Sequence, residues 1–528
     1  MAWRLAALIL LMAALIVILA RPARITHDVA MYLYMGDRLL EGAVPYVDII
    51  DLNPPLIIYL SAIPAGISRA LGTYPPVTLL IAVWLLTVCS AASAWRILRA
   101  PAAEPHSSAP SSRADVVAAA VAALSLWQLS ADGFGQREHL FAIAFVPYLL
   151  LRQRRQSGGA ISPLFAAAVG TAAGVAACLK PHFVILALAP EVYWRLRRTR
   201  TRAGVPVELI ALVVAGVLYA LHFLLVPGPM REAWSGRWLP LIAAGYRAYD
   251  QPLRVIVADW PLWMPPLAGV AFIAGAARRR DWWRERGPAI LIVTVVATLN
   301  VFVQKKGWAY HAIPAQAMLF LASGLAAAAL TDYWDARSAP WLARIRVLAV
   351  RIAVILLIVQ GVVAAALMMP PRKSQAVASL IVRNPLARAI AERTSPGDAV
   401  WIFSTSVNPA FPLMVQLERR HASRFMFAFA LPLLYRDAGG TAEGPFSYRL
   451  QDPQRAAAEA RFRADMETDV HAMRPEMILV PPGCQACPEG FTLHEYLRAS
   501  GFLQTAMADY REVPPVGDVR VYVRREDP

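Results

Sequence analysis

Thr26-His27-Asp28-Val29-Ala30-Met31-Tyr32-Leu33-Tyr34-Met35-Gly36-Asp37-Arg38-Leu39-Leu40-Glu41-Gly42, followed by Pro45-Tyr46, Asp48 and Asp51-Leu52-Asn53-Pro54-Pro55, is the stretch on which the fold turns. It is polar and ionisable, yet it lies between an apolar run, Leu5 to Ala20, and a return to membrane-grade hydrophobicity near residue 75. Ionisable groups packed against a bilayer are costly, so such a loop reads as a working surface, not a spacer. Val29, Tyr32, Leu33, Gly36, Leu39 and Leu40 recur at helical spacing and predict one face of a helix over 28–41, with Asp37, Arg38 and Glu41 largely off it. Thr26 is placed to cap its start and Gly42 to end it. Such a helix is expected to lie in the membrane interface without crossing it. Leu56 to Leu71 is apolar but broken by Pro64 and Gly66, and is expected as a second interfacial or re-entrant piece.

Working outward, the 528 residues are 58% hydrophobic and only 17% charged. A soluble chain carries roughly a quarter charged residues, so the composition points to a polytopic membrane protein. A spanning helix needs about 20 mostly apolar residues. About eleven candidates follow: 3–20, 75–98, 115–131, 137–151, 161–179, 183–196, 205–226, 257–277, 287–303, 311–331 and 347–369. The first has no clean cleavage site, because Arg21-Pro22 follows it, and is expected to remain as a helix. The net charge is +16, and its distribution matters more than its sum. Alternate loops hold Arg96, Arg99 and Arg113; Arg152, Arg154 and Arg155; Arg195, Arg197, Arg198, Arg200 and Arg202; Arg278, Arg279, Arg280, Arg284 and Arg286; and Arg337, Arg344 and Arg346. The positive-inside rule puts this set, and Met1, in the cytoplasm, and an odd number of spans puts the C-terminus outside. These arginines lack interleaved stacking aromatics, so nucleic acid is not expected as a partner.

Residues 100–114 read as a cytoplasmic linker. Beyond about 370 the composition changes, with helices expected near 383–394, 454–469 and 492–500 and strands at 399–403, 477–480 and 519–523. This alternation predicts an external α/β domain over 371–528, large enough for its own core. Cys89 and Cys178 lie in apolar spans and read as packing residues. Cys484 and Cys487 form one Cys-x-x-Cys without the second ligand pair a zinc site needs, and in an external domain they are candidates for a local disulfide.

On this topology the unusual polar residues fall on one side. One short loop holds Asp132 and Gln136-Arg137-Glu138-His139, another Lys180-Pro181-His182, and a third Gln304-Lys305-Lys306-Gly307-Trp308-Ala309-Tyr310-His311. All are expected on the same face as Asp28, which would hold an anion beside a carboxylate. Each has a plainer reading alone. Asp28 suits a helix start, Arg137-Glu138 an interfacial salt bridge, and Lys180, Lys305 and Lys306 snorkelling helix ends. Trp308 and Tyr310 suit an aromatic belt, and His182 and His311 suit structural hydrogen bonds.

The acidic residue soon after the first span, the helix ending in Gly42, the Pro45-Tyr46 pair and the Asn53-Pro54-Pro55 element resemble the first external loop of the GT-C glycosyltransferases, which include protein O-mannosyltransferases and the bacterial lipid A aminoarabinose transferases. Arg137-Glu138 near a span start, Lys180-Pro181 and Tyr310-His311-Ala312-Ile313-Pro314 fit the same pattern. Many members carry two adjacent acids where this chain has His27-Asp28, and Lys where it has Asn53. The resemblance implies a GT-C-like transmembrane domain over 1–370, with interfacial helices in the first external loop (21–74), followed by the external α/β domain. It implies transfer of a sugar from a polyprenyl-phosphate donor to a lipid, glycan or protein acceptor at the outer face of a bacterial plasma membrane. Asp28 is then the candidate base. Arg137, Lys180, Lys305, Lys306, His182 and His311 are candidates for the donor phosphate. His27, Asp48, Asp51 and Glu138 are candidates for acceptor contact or for a divalent metal ion. A transporter of a lipid-linked saccharide is an alternative, though such proteins place polar residues near the midplane in inverted repeats, and none is visible. A non-catalytic glycan-binding assembly protein is another.

Overall fold

The computed structural model describes residues 25–99, 133–156, 160–197, 204–258, 287–319, 321–322, 373–438 and 448–525. The expected spans 3–20, 115–131 and 347–369, most of 257–277 and the second half of 311–331, the linker 100–114 and Asp132 lie outside the described residues. In chain order the helices are α1 (His27–Leu40), α2 (Leu56–Leu71), α3 (Pro75–Arg99), α4 (Arg137–Gln156), α5 (Pro163–Ala177), α6 (Phe183–Arg197), α7 (Val207–Leu225) and α8 (Gly287–Gln304). After residue 370 come α9 (Lys373–Arg383), α10 (Pro385–Arg393), α11 (Ala410–Gln416), α12 (Ala430–Tyr435), α13 (Pro453–Met473) and α14 (Leu493–Ala499). Among the described helices α3 and α7 are both long and apolar enough to cross a membrane; α2, α5 and most of α8 are shorter apolar helices.

The chain divides into two compact units, a helical unit (Met1–Ala23, Leu80–Leu225, Gln251–Met369) and a loop-and-sheet unit (Arg24–Leu79, Val226–Asp250, Pro370–Pro528). In the helical unit α5 and α7 approach closely because Gly170 and Gly174, one turn apart, carry no side chain. A Cβ on Gly170 would stand 2.1 Å from the Glu208 carbonyl oxygen, and one on Gly174 would stand 2.6 Å from that of Leu212. This is the small-xxx-small contact by which apolar helices pack without a hydrophobic driving force. Helix α4 continues five residues past the expected end at 151, so Arg152, Arg154 and Arg155 are helical and not in a loop. Arg152 is buried, with Nε 2.6 Å from Glu191 Oε1 and Nη1 3.2 Å from Glu208 Oε1. A buried arginine is retained only when paired in this way.

In the loop-and-sheet unit a five-stranded sheet has the order β2 (Arg420–His421), β1 (Ala399–Ile402), β3 (Met477–Val480), β5 (Val519–Arg524), β4 (Tyr510–Val516). β1 is parallel to β2 and to β3, with Trp401 opposite Ile478. β5 runs antiparallel to β3 and β4. β3 is buried throughout and reads as an unbroken apolar run, as strands covered on both faces do. Strands β2 and β4 and helices α11 and α12 have no counterpart in the sequence reading. β4 hides because Pro514-Pro515 interrupts it, which an edge strand tolerates at the register shift between Val513 and Val516. The helix starts are conventional: Asn384 caps α10 through Leu386 N and Ala387 N, and Asp452 caps α13 through Gln454 N. Cys484 and Cys487 are joined in a disulfide.

The first loop belongs to this unit. α1 ends at Leu40 with Glu41 as its C-cap, and Gly42 follows in the left-handed region (φ 94°). Ala43 N donates to Arg38 O and Gly42 N to Leu39 O, the paired bonds of a Schellman end. Thr26 precedes the helix but makes no side-chain cap. α1 is buried over most of its circumference, Ala30, Met31 and Met35 included, so the expected single face is too narrow; Leu40, assigned to that face, is exposed. α2 runs unbroken through Pro64 and Gly66 for 16 residues, about 24 Å at 1.5 Å per residue. It crosses α1 at Gly36, where a Cβ would lie 2.5 Å from Ala62 N.

Candidate active site

The acidic loop is built by its own polar groups. Asp28 lies in the first turn of α1 and is 9% exposed, with Oδ1 3.5 Å from His27 Nε2. That separation is an electrostatic contact, too long for a good hydrogen bond. Asp48 Oδ2 accepts from Val44 N at 2.8 Å and closes the turn after α1. Asp51 is fully buried, and its Oδ2 accepts from Asn53 Nδ2 at 2.6 Å and Asn53 N at 3.2 Å. This Asx turn aims Pro54-Pro55 into the start of α2. Asn53, which stands where many sequences of the resembling pattern carry Lys, has its amide turned onto Asp51. Tyr46 takes a positive φ of 65° and donates from its hydroxyl to Asn53 O at 2.6 Å.

Residues 226–250 complete the loop, and sequence reasoning missed them. Trp238 Nε1 donates to Tyr46 O at 3.0 Å, and the Trp234 ring stacks on Tyr46 with centroids 4.3 Å apart. Trp238 is 1% exposed. Two tryptophans four residues apart in a segment too polar and too broken by Pro and Gly to span were the available signal. Ile50 forms a parallel bridge with Phe425, with Ile50 N donating to Arg424 O at 2.7 Å and Met426 N to Ile50 O at 3.2 Å. His421 N donates to the Tyr34 hydroxyl at 2.9 Å. Burial raises the Tyr34 phenol above its ordinary value and pushes His421 down to about 4, so both are neutral at physiological pH.

The cationic residues sit in the helical unit. At the start of α4, Gln136, Arg137, Glu138 and His139 are all buried, although consecutive helical residues point in different directions. Glu138 Oε1 binds Lys180 Nζ directly and lies 3.7 Å from His311 Nε2. Lys180 Nζ is 3.3 Å from His311 Nε2 and 5.4 Å from the Tyr310 ring centroid. Glu138, Lys180 and His311 are therefore one buried cluster drawn from three separate segments of the chain. Lys306 is buried, whereas Lys305 is exposed, at φ 55°, with its carbonyl accepting from Gln251 N at 2.6 Å. Gly307, at φ 66°, completes this sharp reversal. Trp308, Tyr310 and His311 stack around one another with centroids 4.8–5.9 Å apart. Half-buried His182 is pushed down to about 3, first by burial and then by Lys180 and Arg137. Among the described residues no group of three or more His, Cys, Asp or Glu is arranged to hold a metal ion.

The backbone places this chain among solved structures. ArnT from Cupriavidus metallidurans bound to undecaprenyl phosphate matches over 99% of this chain and 98% of its own, at 14% identity and a TM-score of 0.57. The same protein in the apo state matches over 99% and 97%, at 14% identity and a TM-score of 0.53. The chain has the fold of these structures. No protein-family model matches the sequence, and no curated protein matches it. At such low identity a shared fold does not carry an activity with it; the residues above must.

Proposed function

We propose that this protein is an integral-membrane glycosyltransferase. It moves a sugar from a polyprenyl-phosphate donor to an acceptor at the external face of the membrane, with inversion. The observation that carries the reading is a carboxylate, Asp28, held nearly buried at the start of α1, in a chain with the fold of ArnT along its whole length. ArnT, whose backbone it resembles, was seen with undecaprenyl phosphate bound, and a polyprenyl phosphate suits a donor whose lipid half is insoluble in water.

Direct displacement at the anomeric carbon needs a base for the acceptor hydroxyl and stabilisation of the departing phosphate. Asp28 takes the hydroxyl proton as the oxygen attacks, a contribution of roughly 10²–10⁴-fold. The phosphate leaves with the electrons of the broken glycosidic bond. Arg137, Lys180, Lys305 and Lys306 supply positive charge for it, and His182 and His311 supply ring N–H donors. His27, Asp48, Asp51 and Glu138 are left for acceptor or metal contact. Of these, Asp48, Asp51 and Glu138 already hold a turn, a turn and Lys180 respectively, so His27 has most freedom to touch substrate. The eleven-span count, the cytoplasmic N-terminus and the external C-terminal domain belong to the same proposal.

The test is transfer of labelled sugar from a synthetic polyprenyl-phosphate donor by purified protein in lipid. Asp28→Asn is expected to remain folded, to bind donor and to lose at least about 10²-fold in turnover. Wild-type turnover in that variant removes Asp28 from the mechanism. Movement of the labelled donor across vesicles without transfer replaces the enzyme reading with a transporter.

A further inference from the structure

The C-terminal region carries more than a sheet of its own: it grips the first loop one residue from Asp51. The grip is centred on Asp469 of α13, which is 2% exposed. Its Oδ2 accepts from Arg424 N at 2.8 Å and Ser423 Oγ at 3.3 Å, and its Oδ1 accepts from Arg424 Nε at 2.8 Å. Arg424 Nη2 also lies 2.8 Å from Oδ1. A carboxylate has about four acceptor sites, and all are used. Within the same loop Phe425 N donates to Ser423 Oγ at 3.1 Å, and His421 Nε2 lies 2.9 Å from Phe425 O. One turn earlier on α13, Asp465 binds Arg237 at 2.6 Å and Arg424 at 3.6 Å, tying in the segment that locks Tyr46.

Three buried polar side chains thus fix a stretch of backbone whose free edge, Arg424 O and Met426 N, pairs with Ile50 N and Ile50 O. The effort is large for an irregular loop and is spent at its contact with the first loop. We propose that Asp469 and Arg424 are positioning residues that set the register of the first loop, and through it the placement of Asp51, Tyr46 and α1. The activity arm below rests on the transferase reading; the register arm does not.

The experiment measures amide hydrogen exchange across residues 46–53 and donor-dependent transfer in the full-length protein in lipid, for wild type, Asp469→Ala and the isosteric Asp469→Asn. A further pair, Ile50→Cys with Phe425→Cys, is placed in the Asp469→Ala background so that a reversible disulfide can replace the bridge. Asp469→Ala is expected to speed exchange of 46–53 at least tenfold and to lower turnover at saturating donor at least tenfold, with donor KM within twofold. Asp469→Asn should fall between, and oxidising the cysteine pair should restore both readouts while reduction removes them. Unchanged exchange in Asp469→Ala overturns the proposal whatever the activity. Faster exchange with wild-type turnover overturns it too, as does a cross-link that restores exchange but not turnover. If wild type transfers nothing, the transferase reading falls while the exchange comparison still decides the register.

Discussion

At the scale of single residues, the Glu138–Lys180 pair shows how little a charge in sequence says about its work. Lys180 reads as a phosphate ligand or a snorkelling end; in the structure its ammonium sits on Glu138 beside His311. Removing one partner of a buried pair leaves the other uncompensated, at about 3–5 kcal/mol, whereas removing both costs much less. Lys180→Met and Glu138→Leu should each lower the melting temperature in lipid, and the double variant should recover most of the loss. A double variant no more stable than the worse single one excludes a direct pair. Recovery of stability without transfer activity would further separate the cation's chemical role from its structural one. His421 supplies a pH test. Its folded value of about 4 lies below the ordinary histidine value, so between about 4 and 6.5 the unfolded chain holds the extra proton and stability rises with pH. His421→Gln should therefore flatten the fall in stability below pH 6.5 by up to about 1.4 kcal/mol per pH unit, read as melting temperature against pH. Equal slopes in variant and wild type remove His421 as a contributor.

At the scale of elements, α1 was legible because helical spacing and Gly42 mark both its body and its end. Its environment was not: periodicity names the most apolar side but not how many sides are covered, and here both α2 and α11 pack against it and Ala30 and Met35 are buried as well. Pro64 reads as a break, yet a helix whose neighbours hold it in place continues through one missing N–H. Gly36 and the Gly170/Gly174 pair look alike in sequence to glycines in open space; they differ because another backbone lies against them. Gly36→Ala is expected to force α1 and α2 apart and cost about 1–3 kcal/mol, seen as a lower melting temperature. Gly216→Ala, in open space on α7, should leave it unchanged or slightly higher. Equal effects of the two substitutions contradict the close crossing.

At the scale of the molecule, the first loop, residues 226–250 and the C-terminal region fold as one unit, although residues 80–225 and 251–369 separate them in sequence. The transferase reading places this unit and the Lys305–Lys306 loop outside the membrane. A membrane-impermeant thiol reagent added to intact cells should therefore label His27→Cys and Lys305→Cys, both exposed side chains, in a background without exposed native cysteine. Labelling of either position only after permeabilisation would overturn the assigned topology. Mass spectrometry of envelope glycolipids, glycans and glycoproteins with and without the gene should reveal one missing sugar and its attachment point.

The membrane class, the position of α1 and α2, the strands at 399–402 and 477–480, and the polar residues worth attention were set by the sequence alone, because hydrophobic length, periodicity and turn chemistry are local properties. Only the tertiary structure decided that Lys180 lies on Glu138, that tryptophans from residues 226–250 lock Tyr46, and that Asp469 holds the loop against which Ile50 pairs. Those contacts join residues tens to hundreds of positions apart, and a hydrogen bond or ion pair depends on distance in space, which a single chain of letters leaves open.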